Sequence, residues 1–102
     1  MDDLHPLFTS FKADFPELNE MHEEMGKHIH EQSGPLSPKI RWLIKVAISG
    51  ASGHHLALET HIAKAREAGA TTKEIQHALL LLIPTTGFPA FMEAYEVAKR
   101  VL

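Results

Sequence analysis

The chain contains no cysteine. That excludes a disulfide framework, a thiolate nucleophile and any zinc or iron–sulfur site held by cysteine. Polar aromatics are scarce, with one tryptophan and one tyrosine in 102 residues. Long apolar runs are missing too. The strongest, Ala78 to Ile83, falls far short of the ~20 residues that a membrane span needs. Neither sign of charge dominates: the formal net charge is −3 and the pI about 6.2, so the chain lacks the basic footprint of a nucleic-acid binder. The start, Met1-Asp2-Asp3, has neither the positive residues nor the apolar stretch of a secretory signal. These absences predict a cytoplasmic protein with no nucleic-acid and no membrane partner.

What is present reads as helix. Apolar residues make up 44% of the chain and charged residues 23%, a balance that supports a packed globular domain. Phe8, Phe11 and Phe15 recur at helical spacing. Pro16 suits the first position of a second helix, which carries Leu18, Met21, Met25 and Ile29 on one face to about Glu31. After the Ser33-Gly34-Pro35 break, Ser37 and Pro38 form the cap and first residue of a third helix. That helix is apolar almost all round, with Ile40, Trp42, Leu43, Ile44, Val46, Ala47 and Ile48, and is expected to be central. Ser49-Gly50-Ala51-Ser52-Gly53 marks its end.

A fourth helix starts near His54 and ends at Gly69, a residue suited to the left-handed position after a helix. Thr71 and Glu74 make a capping box for a fifth helix that stops at Pro84, and Pro89 opens a last one after the Thr85-Thr86-Gly87 turn. The expectation is a single all-α domain over residues 1–102, an antiparallel assembly of about six helices. The apolar third helix and the run to Ile83 exceed what a domain this small hides, which predicts a homo-oligomer.

Three segments carry a family resemblance. His61-Ile62-Ala63-Lys64-Ala65-Arg66-Glu67-Ala68-Gly69-Ala70 resembles an H-x-x-x-A-x-x-x-G-A/V segment. Thr71-Thr72-Lys73-Glu74-Ile75 resembles a T-x-x-E-I helix start, and Gly87-Phe88-Pro89-Ala90 a G-x-P-A turn. In this order and spacing, over residues 37–90, they resemble the carboxymuconolactone decarboxylase / alkylhydroperoxidase D-like family. The resemblance implies an all-α fold that assembles as dimers, trimers or hexamers, with a trimer or hexamer expected here.

Thiol members of that family read C-x-x-C-x-x-x-H, with a glutamate about three helical turns upstream. Matched on His61, the cysteine positions hold His54 and Ala57, and the glutamate position holds Trp42. Only the histidine is kept. A peroxidase step that needs an attacking thiolate and a resolving thiol therefore has no residues to run on. The lactone decarboxylase branch is cysteine-independent and usually carries an acidic residue one turn before the histidine. Here Ala57 stands at that place, and Glu59 lies two residues before His61.

The resemblance makes His61 the leading catalytic candidate, with His54 or Glu59 assisting. His54, Leu58 and His61 share one helical face, and His55 with Glu59 forms an i,i+4 surface pair. His54 and His61 are roughly 10 Å apart along the axis, too far to share a metal ion. No metal and no cofactor is expected. The third helix folds back on the fourth at Gly50–Gly53, which brings Trp42 towards His61 as one wall of a pocket near the fourth helix's start. An imidazole against an apolar wall favours its neutral form and suits proton transfer. Thr86 and Gly87 are candidates for substrate binding, since they precede a helix N-terminus, although a plain turn explains them equally. His22, His28 and His30, among Glu23, Glu24 and Glu31, read as a solvated face.

Three functions fit this pattern. The first is a cysteine-independent enzyme acting on a small organic acid or lactone by histidine-based proton transfer. The second is a non-catalytic oligomeric binding or scaffold protein. The third, peroxidase activity of the alkylhydroperoxidase type, ranks last on chemical grounds.

Overall fold

The structure, a computed structural model, describes residues 5–102 and holds helices and no strand among them. The chain divides into two compact units, Met1–Pro35 and Leu36–Leu102.

In the first unit, α1 (Pro6–Asp14) and α2 (Pro16–Gln32) pack on each other. His5 caps α1, its Nδ1 accepting from the Leu7 N–H at 3.1 Å. Pro16 occupies the first turn of α2, where a missing N–H leaves nothing unpaired. Neither helix buries a residue: Leu18, Met21, Met25 and Ile29 stay between 55% and 63% exposed. The predicted apolar face exists, but it is uncovered.

The second unit holds the core. It contains α3 (Pro38–Ala51), α4 (His55–Glu67), α5 (Thr72–Leu80), α6 (Leu82–Thr86) and α7 (Phe88–Val101). Val46, Leu58, Ile62, Ile75, Leu79 and Val97 are its largest sealed side chains. α3 touches α4, α5, α6 and α7, so the expectation of a central helix holds. Its burial is one-sided, however, because Ile40, Ile44 and Ile48 point outward, 41%, 42% and 58% exposed. Where α3 crosses its neighbours it carries Gly50. A Cβ there would sit 3.1 Å from Leu79 Cδ2, 3.2 Å from Ala94 Cβ and 3.3 Å from Leu82 Cδ2.

The caps follow the sequence. Ser37 Oγ accepts from the Ile40 N–H. Thr71 and Glu74 complete both halves of the capping box, at 3.0 and 2.9 Å. The Lys39 ammonium lies 3.0 Å from Glu74 Oε2 and ties the start of α3 to the start of α5. The Thr71 backbone N–H and then Lys39 hold the Glu74 carboxyl below its ordinary pKa. Gly69 takes φ +96°, as its expected place after a helix requires.

Two boundaries differ from the sequence reading. α3 does not stop at Ser49 but runs through Gly50 to Ala51, because the bare glycine fits the helix crossing. The expected fifth helix breaks at Leu81 and resumes as α6, which includes Pro84. Pro84 falls in the first turn of α6, where its N–H would have no helical partner, so it does not end the segment at that point. Among the described residues, no helix is long and apolar enough to cross a membrane.

Candidate functional site

The site begins with the turn between α3 and α4. Gly53 adopts φ +70°, a conformation that suits glycine, and the His54 N–H donates back to the Ser49 carbonyl at 3.0 Å. The two helices then run against each other, sealed by Val46 on α3 and Leu58 and Ile62 on α4. Positions 42, 45 and 49 of α3 are three and four residues apart, so they share a face. That face meets His61, which stands two turns into α4.

The half-buried His61 ring lies 5.7 Å from Trp42, centroid to centroid, with the planes at 50°. Its Nδ1 is 2.6 Å from Ser49 Oγ and 3.3 Å from the Lys45 carbonyl oxygen. Ser49 is only 4% exposed. The Lys45 ammonium sits 4.4 Å from the centre of the Trp42 ring, a cation–π contact. Partial burial lowers the Lys45 pKa. One side of α3 thus sets an indole and a hydroxyl against a single imidazole, with an ammonium over the indole.

The residues expected from sequence are not all gathered there. The Trp42 ring lies against the His61 ring. His54 is solvent-exposed at the N-cap of α4 and makes no capping bond with its side chain. Glu59 is half-buried, and the helix turns it about 160° away from His61. The His55–Glu59 ion pair does not form, unlike Lys39–Glu74 and Lys64–Glu67. Thr86 Oγ1 donates to the Leu82 carbonyl at 3.2 Å, and the Gly87 N–H donates to that same carbonyl at 3.0 Å. Both therefore serve the junction of α6 and α7. Among the described residues, no group of three or more His, Asp or Glu side chains is placed to hold a metal ion.

Sequence reasoning missed Lys45 and Ser49. In the sequence Ser49 opens the expected loop, whereas the helix continues past it and keeps its hydroxyl inside. The signal was available, since positions 42, 45 and 49 share a helical spacing and Ser49 follows an apolar run. A separate open cleft of about 450 Å³ lies between α5 and α7, with Gln76, Leu79, Phe91, Tyr95 and Lys99 among its walls. None of the expected site residues lines it.

A helical unit with an imidazole set between Trp42 and Ser49 defines an all-α protein whose chemistry, if any, is not that of a thiol. The pattern of the Carboxymuconolactone decarboxylase family matches residues 16–100. The chain belongs to that family, and with no cysteine it lacks the pair on which the thiol branch depends. No curated protein matches the chain.

Proposed function

We propose that this chain is a homo-oligomeric, cysteine-independent member of the family that acts on a small organic acid or lactone by proton transfer, with His61 as its acid–base group. The observation that carries this reading is the arrangement of the His61 ring, held at Nδ1 by Ser49 and flanked by Trp42. An imidazole gives and takes a proton near neutral pH, and a ring held in one orientation is what acid–base catalysis needs. The Lys45 ammonium on the same helical face suits a carboxylate, and the Trp42 ring suits a planar carbon skeleton. The absence of cysteine favours the lactone class over a peroxide. The oligomer rests on Ile40, Ile44, Ile48, Leu80 and Leu81, an apolar surface that a lone chain leaves in water.

The test is a panel of small carboxylated lactones followed by proton NMR. The expected outcome is consumption of at least one lactone, with His61→Gln lowering the rate on the order of 100-fold or more. The rival reading, a scaffold without chemistry, takes the same Ser49–His61 bond as packing. It predicts that no lactone is consumed and that His61→Gln changes stability alone. Light scattering at micromolar concentration tests the assembly, and a stable monomer would refute it. A hydroperoxide assay with a dithiol reductant is expected to show no turnover above a heat-inactivated control.

A further inference from the structure

The cleft between α5 and α7 stands apart from the His61 site, since none of Trp42, Lys45, Ser49 and His61 lines it. Its walls come from one side of each helix. Thr72, Gln76 and Leu80 follow one another at intervals of four on α5, and Phe91, Tyr95 and Lys99 do the same on α7. The five-residue α6 joins the two helices, and so short a link makes them antiparallel neighbours. Leu79 near the end of α5 and Ala94 in the first half of α7 agree with this, because both would touch one Cβ built on Gly50. The start of α5 therefore shares one end of the cleft with the close of α7.

That arrangement gives the cleft unlike ends. Thr72, Gln76 and Lys99 belong to one, Leu80 and Phe91 to the other. The Tyr95 ring joins them, stacked on Phe91 at 5.6 Å with the planes 12° apart. Lys99 is the one charged side chain in the walls, and no carboxylate of the described residues pairs with it. At about 450 Å³ the cleft has the size of a small-molecule site, roughly 300–1,000 Å³.

The geometry points to a binding site for an amphipathic monocarboxylate, with its carboxylate on Lys99 and its hydrocarbon chain running past Tyr95 and Phe91 to Leu80. One ammonium at the end of an apolar trough is complementary to one negative charge on an apolar body. A second charge on the ligand would lose its water among Leu79, Leu80 and Phe91, and a cationic head would meet the Lys99 ammonium. The length is set by α7. From Phe91 to Lys99 the helix rises roughly 12 Å at 1.5 Å per residue, which is about the reach of an extended decanoate chain.

Tyr95 is the chain's only tyrosine, so protein labelled with ¹³C in its tyrosine ring carries a single reporter inside the cleft. Full-length protein is titrated near neutral pH with decanoate, decanol and decylammonium. The expected outcome is a saturable shift of the Tyr95 signals by decanoate, with decanol bound about fivefold more weakly, the upper range for an ion pair open to water, and decylammonium weaker still. Lys99→Gln, at an exposed position, is expected to bring decanoate down to the level of decanol. Tyr95 signals that decanoate does not move overturn the proposal. So does equal binding of the three probes, or a Lys99→Gln protein that binds decanoate as before. Signals that follow protein concentration and ignore decanoate also overturn it, and give the cleft to a second copy of the chain. The site does not depend on His61, so this titration and the lactone assay succeed or fail separately.

Discussion

The two units of this chain are made of the same material and treat it differently. In Met1–Pro35, α1 and α2 carry well-spaced phenylalanines, leucines and methionines, yet neither helix buries a residue. In Leu36–Leu102, residues of the same kind at the same spacing seal a core around Leu58, Ile62, Ile75 and Leu79. Periodicity makes a helix amphipathic, but burial needs layers on more than one side. Two helices offer one contact, whereas α3 touches four others and buries one side against them.

This contrast is open to mutation, and the expected effects fall in a clear order. The largest belongs to the core. Ile62→Ala removes a side chain only 1% exposed and should destabilise by about 2–5 kcal/mol in urea unfolding. Little change there would mean that the α3–α4 contact does not carry the unit. Next comes the helix crossing. Gly50→Leu pushes into Leu79, Leu82 and Ala94, and overpacking of this kind costs about 1–3 kcal/mol. A neutral result would show that α3 can slide away from α5 and α7.

The capping box gives a smaller effect. Thr71→Ala removes the acceptor for the Glu74 N–H and should cost about 1 kcal/mol. Its partner adds a pH dependence. The Glu74 carboxyl has a folded-state pKa below its ordinary value, so its contribution is fully present above the unfolded-state pKa and is lost as pH falls through the lowered folded-state pKa. The stability gap between wild type and Glu74→Gln should therefore be widest near neutral pH and close in acid; a constant gap would contradict the assignment. The smallest effect is expected in α2. Met25→Ala, at a residue 57% exposed, should stay within about 0.5 kcal/mol when measured on dilute protein. A loss as large as that of Ile62→Ala would erase the distinction between the units.

Most of the fold could be read in the sequence because its signals are local. Ser37, Thr71, Glu74 and Gly69 mark helix ends by chemistry that acts within a few residues, and each does so in the structure. The misread boundaries were set by distant residues. Gly50 looked like a helix breaker, but Leu79, Leu82 and Ala94 make it the one residue type that fits the crossing without crowding. Pro84 looked like a stop, but a break three residues earlier moved it into a new first turn. The site divides in the same way. His61 and Trp42 were found through the family pattern, and the packing of α3 on α4 brings them together. Ser49 and Lys45 share the helical spacing of Trp42, but that spacing does not show that the Ser49 hydroxyl bonds a ring twelve residues on.

The central claim is that this cysteine-free member works through His61. Running the lactone reaction in deuterated water and reading the product by mass spectrometry tests it most directly. The account predicts solvent deuterium in the product of the wild-type reaction, and a His61→Gln variant that is folded and assembled but inactive. Undiminished turnover by that variant would contradict it.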